Sequence, residues 1–160
     1  MANSRFDPDY EPDYFGLALC EQQGRLFKEC QYDFERDAVD FITKYMNSSI
    51  AADIDKPLSF YHSMGIKPIG EYFLQEASVL PVQADTLIDG DVLFWIGYMY
   101  RYWAFMGESS KEIIEQVPVV RALWVYPGYH TLAVAEAVRM FKKRNKAWRD
   151  QQGENEKLMP

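Results

Sequence analysis

The chain has 160 residues, of which 24 are acidic and 17 are basic, and its net charge is −7. Such an acidic protein is not expected to bind DNA in general, because phosphates repel it at a distance. The length fits one domain that buries about two thirds of its unfolded surface. Aromatic residues make up 16% of the chain, which indicates either an aromatic-rich core or a surface where aromatic side chains anchor a partner.

The charge is unevenly distributed along the chain. Residues 1–130 carry 20 acidic and 10 basic side chains, whereas residues 131–160 carry 4 acidic and 7 basic ones. The basic end could contact phosphate or an acidic partner, or it could lie against the acidic body of the same molecule.

Cysteine usage and hydropathy predict a cytoplasmic protein with no membrane partner. Cys20 and Cys30 would lie about 15 Å apart on one helix, too far for a disulfide, and are expected to be buried thiols of a reducing compartment. The N-terminus has no apolar segment typical of a signal peptide. The longest apolar run, 92–106, is interrupted by Arg101 and is shorter than the roughly 20 residues that span a membrane.

The first half of the chain predicts an extended arm followed by helices. Residues 1–13 are rich in Asp and Pro and predict the arm, before a single helical domain at 14–150. Apolar residues at helical spacing then predict helices over about 14–30 and 34–47, with Asp33 as the N-cap of the second; one bent helix is the alternative. A further short helix is predicted from Lys67-Pro68 to about Ala77, and residues 78–90 resemble a loop.

The strongest helix prediction is the aromatic segment 92–106. Asp91 is a suitable N-cap and Gly107 a suitable C-terminal stop. Its apolar residues lie on every side of the helix, which is typical of a helix that others surround. Ser109 to Glu112 then form a capping box that opens a short helix.

The last third of the chain predicts two more helices. Val119 to Val125 forms one before a turn at Tyr126-Pro127-Gly128. Thr131 caps the other, whose apolar stripe consists of Val134, Val138, Phe141 and Trp148, and residues 151–160 form a flexible polar tail. The predicted fold is therefore all-α, a single-domain bundle of about six or seven helices around the central helix 92–106.

The sequence shows no pattern typical of a catalytic, metal or cofactor site. It has no C-x-x-C, H-E-x-x-H or glycine-rich phosphate loop, and Asp89-Gly90-Asp91 is better explained as a turn and a cap than as a calcium loop. We therefore predict a protein that is not an enzyme, with no catalytic residues, metal or cofactor. Scattered carboxylates could still assemble into a site in space.

Several polar residues have both a structural and a functional interpretation. Arg101 is the only charge inside the aromatic helix, so it either pairs with a core acid or is held by Tyr102 and Trp103 as an interface anchor. His130 either fixes a turn by a hydrogen bond or contacts a partner. Ser109 and Ser110 are capping residues first and partner ligands second.

Residues 91–141 carry a family resemblance. The segments 92–103, 108–114 and 126–132, with Ala137-Val138, resemble small bacterial helical proteins of uncharacterised function. Related domains are encoded beside predicted ADP-ribosyltransferase toxins and are taken to be their antitoxins. The resemblance implies an intracellular protein that neutralises a co-encoded toxin by direct binding.

The predicted function is therefore a non-enzymatic, antitoxin-like protein-binding module whose acidic rim steers a basic partner into place. The alternatives are an acidic phage or mobile-element inhibitor that mimics nucleic acid, and a small-molecule enzyme with a polar pocket around His62 or His130. A homodimer is compatible with each. The candidate partner-binding residues are Trp95, Arg101, Tyr102, Trp103, Ser109, Ser110, Lys111, Tyr126, Tyr129, His130 and Thr131.

Overall fold

In a computed structural model of the chain, residues 5–158 are described, with side chains through residue 154. These residues form eight α-helices and two short 3₁₀-helices, and the all-α prediction is confirmed. The α-helices are α1 (Tyr14–Glu29), α2 (Ala38–Met46), α3 (Ser49–Ile54), α4 (Ile66–Glu76), α5 (Gly90–Phe105), α6 (Ser110–Gln116), α7 (Val119–Tyr129) and α8 (Val134–Leu158); the 3₁₀-helices are Phe60–Ser63 and Ala84–Thr86. Within the described residues there is no β-strand, only an isolated bridge between Arg36 and Pro81.

The aromatic helix α5 lies at the centre of the bundle, as the sequence predicts. It packs along the whole of α1, and α6, α7 and α8 contact its other sides. Two glycines allow the close approach to α1, because a Cβ on Gly97 would lie 2.5 Å from the Gln23 carbonyl oxygen and one on Gly24 would lie 2.9 Å from Phe94. Tyr100 and Trp103 of α5 are fully buried.

Two predicted N-caps are replaced by neighbouring aspartates. Asp89, not Asp91, caps α5, and its carboxylate accepts the Asp91 amide at 2.8 Å. Asp37, not Asp33, caps α2. The chain turns before α2 at Glu35, whose φ of 55° lies in the left-handed region, and this turn moves the start of the helix four residues along the chain.

The helix α7 is longer than predicted and includes the expected turn. It runs through Tyr126-Pro127-Gly128 to Tyr129, because this last helical turn buries Tyr129 against Phe141 of α8, with ring centroids 5.0 Å apart. The chain reverses at residues 130–133 instead, so α8 begins at Val134 and Thr131 is not its cap. The burial of one aromatic side chain outweighs the local preference of Pro and Gly for a turn.

The helix α8 continues beyond the bundle. Val138 and Phe141 are buried as predicted, but Trp148, which the sequence places on the same stripe, is 62% exposed. The reason is that α8 leaves the bundle after Asn145: between residues 146 and 154 every side chain is exposed, and only Gly153 is partly covered. The predicted polar tail is helical through residue 158, and its last two residues lie outside the described part.

The N-terminal arm lies against the end of α5 and against α8. The Asp7 amide donates to the Met106 carbonyl at 2.7 Å, and the Arg139 guanidinium donates to the Pro8 carbonyl. Gly107, predicted to end the helix before it, has a φ of 120°, and a Cβ there would lie 2.1 Å from the Arg5 carbonyl oxygen. Residues 1–4 of the predicted arm lie outside the described residues.

None of the helices in the described part of the chain is both long enough and apolar enough to cross a lipid bilayer.

Candidate partner-binding surface

Five of the predicted partner-binding residues lie in the core. Arg101, Trp103 and Ser110 are at most 2% exposed, and Trp95 and Tyr129 are at most 9% exposed. These residues offer a partner almost no surface in this conformation. Position on an aromatic helix does not tell which side faces solvent when other helices cover every side.

Arg101 joins a buried network that links three distant parts of the chain. Its guanidinium donates to Asp55 Oδ1 at 2.7 Å and to Gln23 Oε1 at 3.0 and 3.2 Å. Asp55 in turn accepts the amide and the hydroxyl of Ser110, both at 2.8 Å. The structure thus supports the structural interpretation of Arg101, a buried cation that pairs with Asp55 and also donates to Gln23.

Trp103 belongs to a second network around Glu108. The indole N–H donates to the Glu108 carboxylate at 2.8 Å, and Lys142 and Gln116 donate to it at 2.8 and 2.9 Å. Burial raises the pKa of Glu108, but the hydrogen bonds from Lys142, Trp103 and Gln116 outweigh it and hold the pKa below its usual range. The side chain is therefore a carboxylate at neutral pH.

Three predicted residues do come together near the surface. The Trp95 and Tyr126 rings are 5.5 Å apart, edge to face, and the His130 ring stacks on Tyr126 at 4.4 Å. His130 donates from Nδ1 to the Tyr126 carbonyl at 2.7 Å, so the predicted hydrogen bond to the turn is present, on the helix end. Of these three rings, His130 is exposed and is the one that a partner could reach.

The remaining predicted residues are on or near the surface but are dispersed. Ser109 and Glu112 form the predicted capping box, which is confirmed. Lys111 and Thr131 are exposed and Tyr102 is partly exposed. No contact joins these side chains into one site in the described part of the structure.

A different set of residues forms an exposed apolar pocket. It lies between the start of α1 and the segment that leads into the first 3₁₀-helix, and its volume is about 360 Å³. Phe15, Leu58 and Phe60 line it and are 55%, 89% and 75% exposed. We call this feature the apolar pocket.

Hydrogen bonds hold the segment that carries Leu58 and Phe60. The Ser59 hydroxyl donates to Asp53 at 2.7 Å, and the His62 ring donates from Nε2 to the Ile54 carbonyl at 2.9 Å. The hydrogen bond from Ser59 is the main reason that the pKa of Asp53 lies below its usual value. Asp55, at the end of α3, is fixed by the Arg101 network. The apolar side chains are thus presented by an ordered segment.

Two of the three polar side chains that line the pocket, Ser59 and His62, are already hydrogen-bonded to α3. Ser59 and His62 both point their polar atoms toward the end of α3, while the Phe15 ring packs edge-on against His62 with centroids 5.9 Å apart. The arrangement suits the binding of an apolar group better than acid–base chemistry, which needs a polar atom aimed at a substrate.

Nucleophile and metal chemistry find little support in the described residues. Cys20 and Cys30 are buried, and burial raises the pKa of both thiols to about 12, so they are protonated at neutral pH and weak as nucleophiles. No group of three or more His, Cys, Asp or Glu side chains in this part of the chain is placed to hold a metal ion.

The sequence carried one signal for the pocket. Pro57 to Phe60 combines apolar residues in a run too short for a helix or strand pattern, so the segment cannot bury them through its own secondary structure. An apolar connection between helices indicates either a covered loop or a binding surface. Only the arrangement of α1 and α3 decides between the two.

No known family model, curated protein or solved structure matches the chain.

Proposed function

We propose that this protein is a binding module for another protein and that the apolar pocket is its main contact surface. The observation that carries the proposal is the exposure of Phe15, Leu58 and Phe60 around one concave site. Large apolar side chains that cluster on a surface are typical of protein-binding sites. Single exposed ones are common and would carry no such weight.

The energetics of the pocket favour this function. Complete burial of a Leu or Phe side chain contributes about 1.5–3 kcal/mol, so a partner that covers Leu58 and Phe60 gains most of its binding energy from two or three residues. Such concentration is usual in protein interfaces. Because hydrogen bonds from Ser59 and His62 already order the segment, binding loses less conformational entropy than it would with a disordered loop.

The charge of the chain suggests what kind of partner fits. Residues 1–130, which include the pocket, carry twice as many acidic as basic side chains. A partner that presents an apolar side chain from a basic surface would be steered toward the pocket and held there. A co-encoded toxin is the specific partner that the resemblance of residues 91–141 suggests, and neutralisation by direct binding is the proposed, antitoxin-like role.

Co-expression with the product of the neighbouring gene, followed by purification and calorimetric titration, tests the proposal. We expect a stable complex. Leu58→Ala and Phe60→Ala should each weaken its affinity about five- to thirty-fold, which corresponds to about 1–2 kcal/mol per anchor. Trp124→Ala is a matched control, because Trp124 is 82% exposed and lies on α7, outside the pocket.

Two results would contradict the proposal. If no complex forms and the neighbouring product is harmless alone, the antitoxin-like role is wrong. If a complex forms but the pocket variants bind like the original chain while high salt abolishes binding, the acidic surface and not the pocket makes the contact, as expected of a nucleic-acid mimic.

A further inference from the structure

A second surface lies between α6 and the part of α8 that projects from the bundle. The groove there has a volume of about 1120 Å³ and is open to solvent. One wall carries Glu112 and Glu115 of α6. The other carries Arg144, Trp148 and Arg149 of α8.

The floor of this groove is polar and internally paired. The Lys142 ammonium donates to Glu108 and to Gln116, at 2.8 and 3.1 Å, and the Arg121 guanidinium donates to the Asn145 amide oxygen. The floor therefore has few free groups for a small ligand. The walls differ from the floor in that they carry charged side chains without an ion-pair partner. Among the described residues these are Glu115, Arg144 and Arg149.

We infer that this groove is the interface between two copies of the chain, in which the projecting part of α8 of each copy lies in the groove of the other. The groove is large enough for a helix, and residues 146–154 of α8 form about 14 Å of helix with no covering element. Trp148, 62% exposed, is the apolar residue that the contact would bury.

Charge complementarity identifies the occupant as a second copy. In a symmetric dimer the same surface of both copies meets. That surface must therefore carry both acidic residues and the basic residues that pair with them. This groove meets the requirement, because Glu115 on α6 and Arg144 and Arg149 on α8 line it and have no ion-pair partner among the described residues. In the dimer, Arg149 of each copy pairs with Glu115 of the other, and the two Trp148 side chains lie near the symmetry axis.

Sedimentation velocity of the full chain across the micromolar range tests this inference. We expect a concentration-dependent dimer that Trp148→Ala weakens by at least about tenfold. Arg149→Glu and Glu115→Arg, each alone, should weaken it by a similar factor, because each places two like charges together at both symmetric contacts. Circular dichroism of each variant excludes a general loss of the fold. Trp124→Ala is the control for the removal of an exposed tryptophan outside the groove.

Mixing the two charge variants gives the sharpest result. A heterodimer of Arg149→Glu with Glu115→Arg pairs opposite charges at both contacts, so the mixture should dimerise about as tightly as the original chain, whereas each variant alone dimerises more weakly. The double variant should dimerise as well. A chain that is monomeric throughout the range, or a dimer that none of these substitutions changes, would overturn the inference; pairing restored in the double variant but absent from the mixture would show that the two residues pair within one copy.

Discussion

Two ion pairs tie the bundle together, and they differ in how much water reaches the cation. In the Arg101–Asp55 pair the arginine side chain is 2% exposed and the aspartate 15%. In the Lys142–Glu108 pair the acid is the buried member at 7%, while the lysine is 24% exposed. In the first pair, the Arg101 guanidinium has almost no contact with water, so its charge must be balanced by groups of the protein. The second lets its cation reach water at the floor of the groove.

The difference relates each pair to one of the two proposed surfaces. Asp55 stands at the end of α3, directly before the segment that carries the apolar pocket, so the Arg101 network supports that segment from the core. Glu108 stands before α6 and joins it to α8 through Gln116 and Lys142, so the second network sets the floor of the groove. A buried cation requires complete pairing, whereas an accessible one tolerates the loss of its partner.

The largest effect is expected from breaking the first pair. Asp55→Asn leaves the Arg101 guanidinium buried without a counter-charge and should lower the free energy of unfolding by about 3–5 kcal/mol. Denaturant unfolding of Asp55→Asn, Arg101→Met and the double variant measures it. The double variant should lose less than the sum of the single losses, by about 1–3 kcal/mol. Additive losses would show that the two side chains do not depend on each other.

A smaller effect is expected at the second pair. Glu108→Gln keeps the volume of the side chain and removes its charge, and Lys142 can turn toward water instead of remaining buried without a partner. The free energy of unfolding should fall by about 2 kcal/mol, less than for Asp55→Asn. Glu71→Gln, an exposed change on α4, is the matched control and should have almost no effect. If Glu108→Gln lowers the free energy of unfolding as much as Asp55→Asn does, the exposure of the cation does not determine how much each ion pair contributes to stability.

The smallest effect concerns pH. The folded state lowers the pKa of Glu108 below its usual value of 4.5, so the charged side chain stabilises the fold above about pH 4.5 and this contribution is lost as the pH falls through the folded pKa. The stability difference between the original chain and Glu108→Gln should therefore be largest at neutral pH and shrink in acid. Thermal unfolding of both at a series of pH values measures it; a difference that stays constant would exclude a charge effect.

The helices were largely predictable because their signals are local. Ser109 and Glu112 form the expected capping box, and Gly107 ends the central helix in a backbone conformation that favours glycine. Errors arose where a distant contact outweighed a local preference. Pro127 and Gly128 predicted a turn, but burial of Tyr129 against Phe141 keeps them in α7.

The candidate sites were much less predictable. Arg101 stood out in the sequence because it is the only charge inside an apolar helix, and Trp103 because aromatic side chains often anchor interfaces, yet both are buried. Leu58 and Phe60 lie in a connection without periodicity, and Trp148 continues an apolar stripe with the correct spacing. Nothing in that spacing tells where α8 leaves the bundle, so the exposure of Trp148 could not be foreseen.

By itself, the sequence determined that the chain is helical, that the aromatic helix is central, and where most helices begin and end, because periodicity and capping act within a few residues. The tertiary structure alone decided which aromatic side chains face water. Exposure depends on contacts between residues far apart in the chain, such as Arg101 with Asp55 and Gln23, and these contacts place the segment with the apolar pocket at the surface.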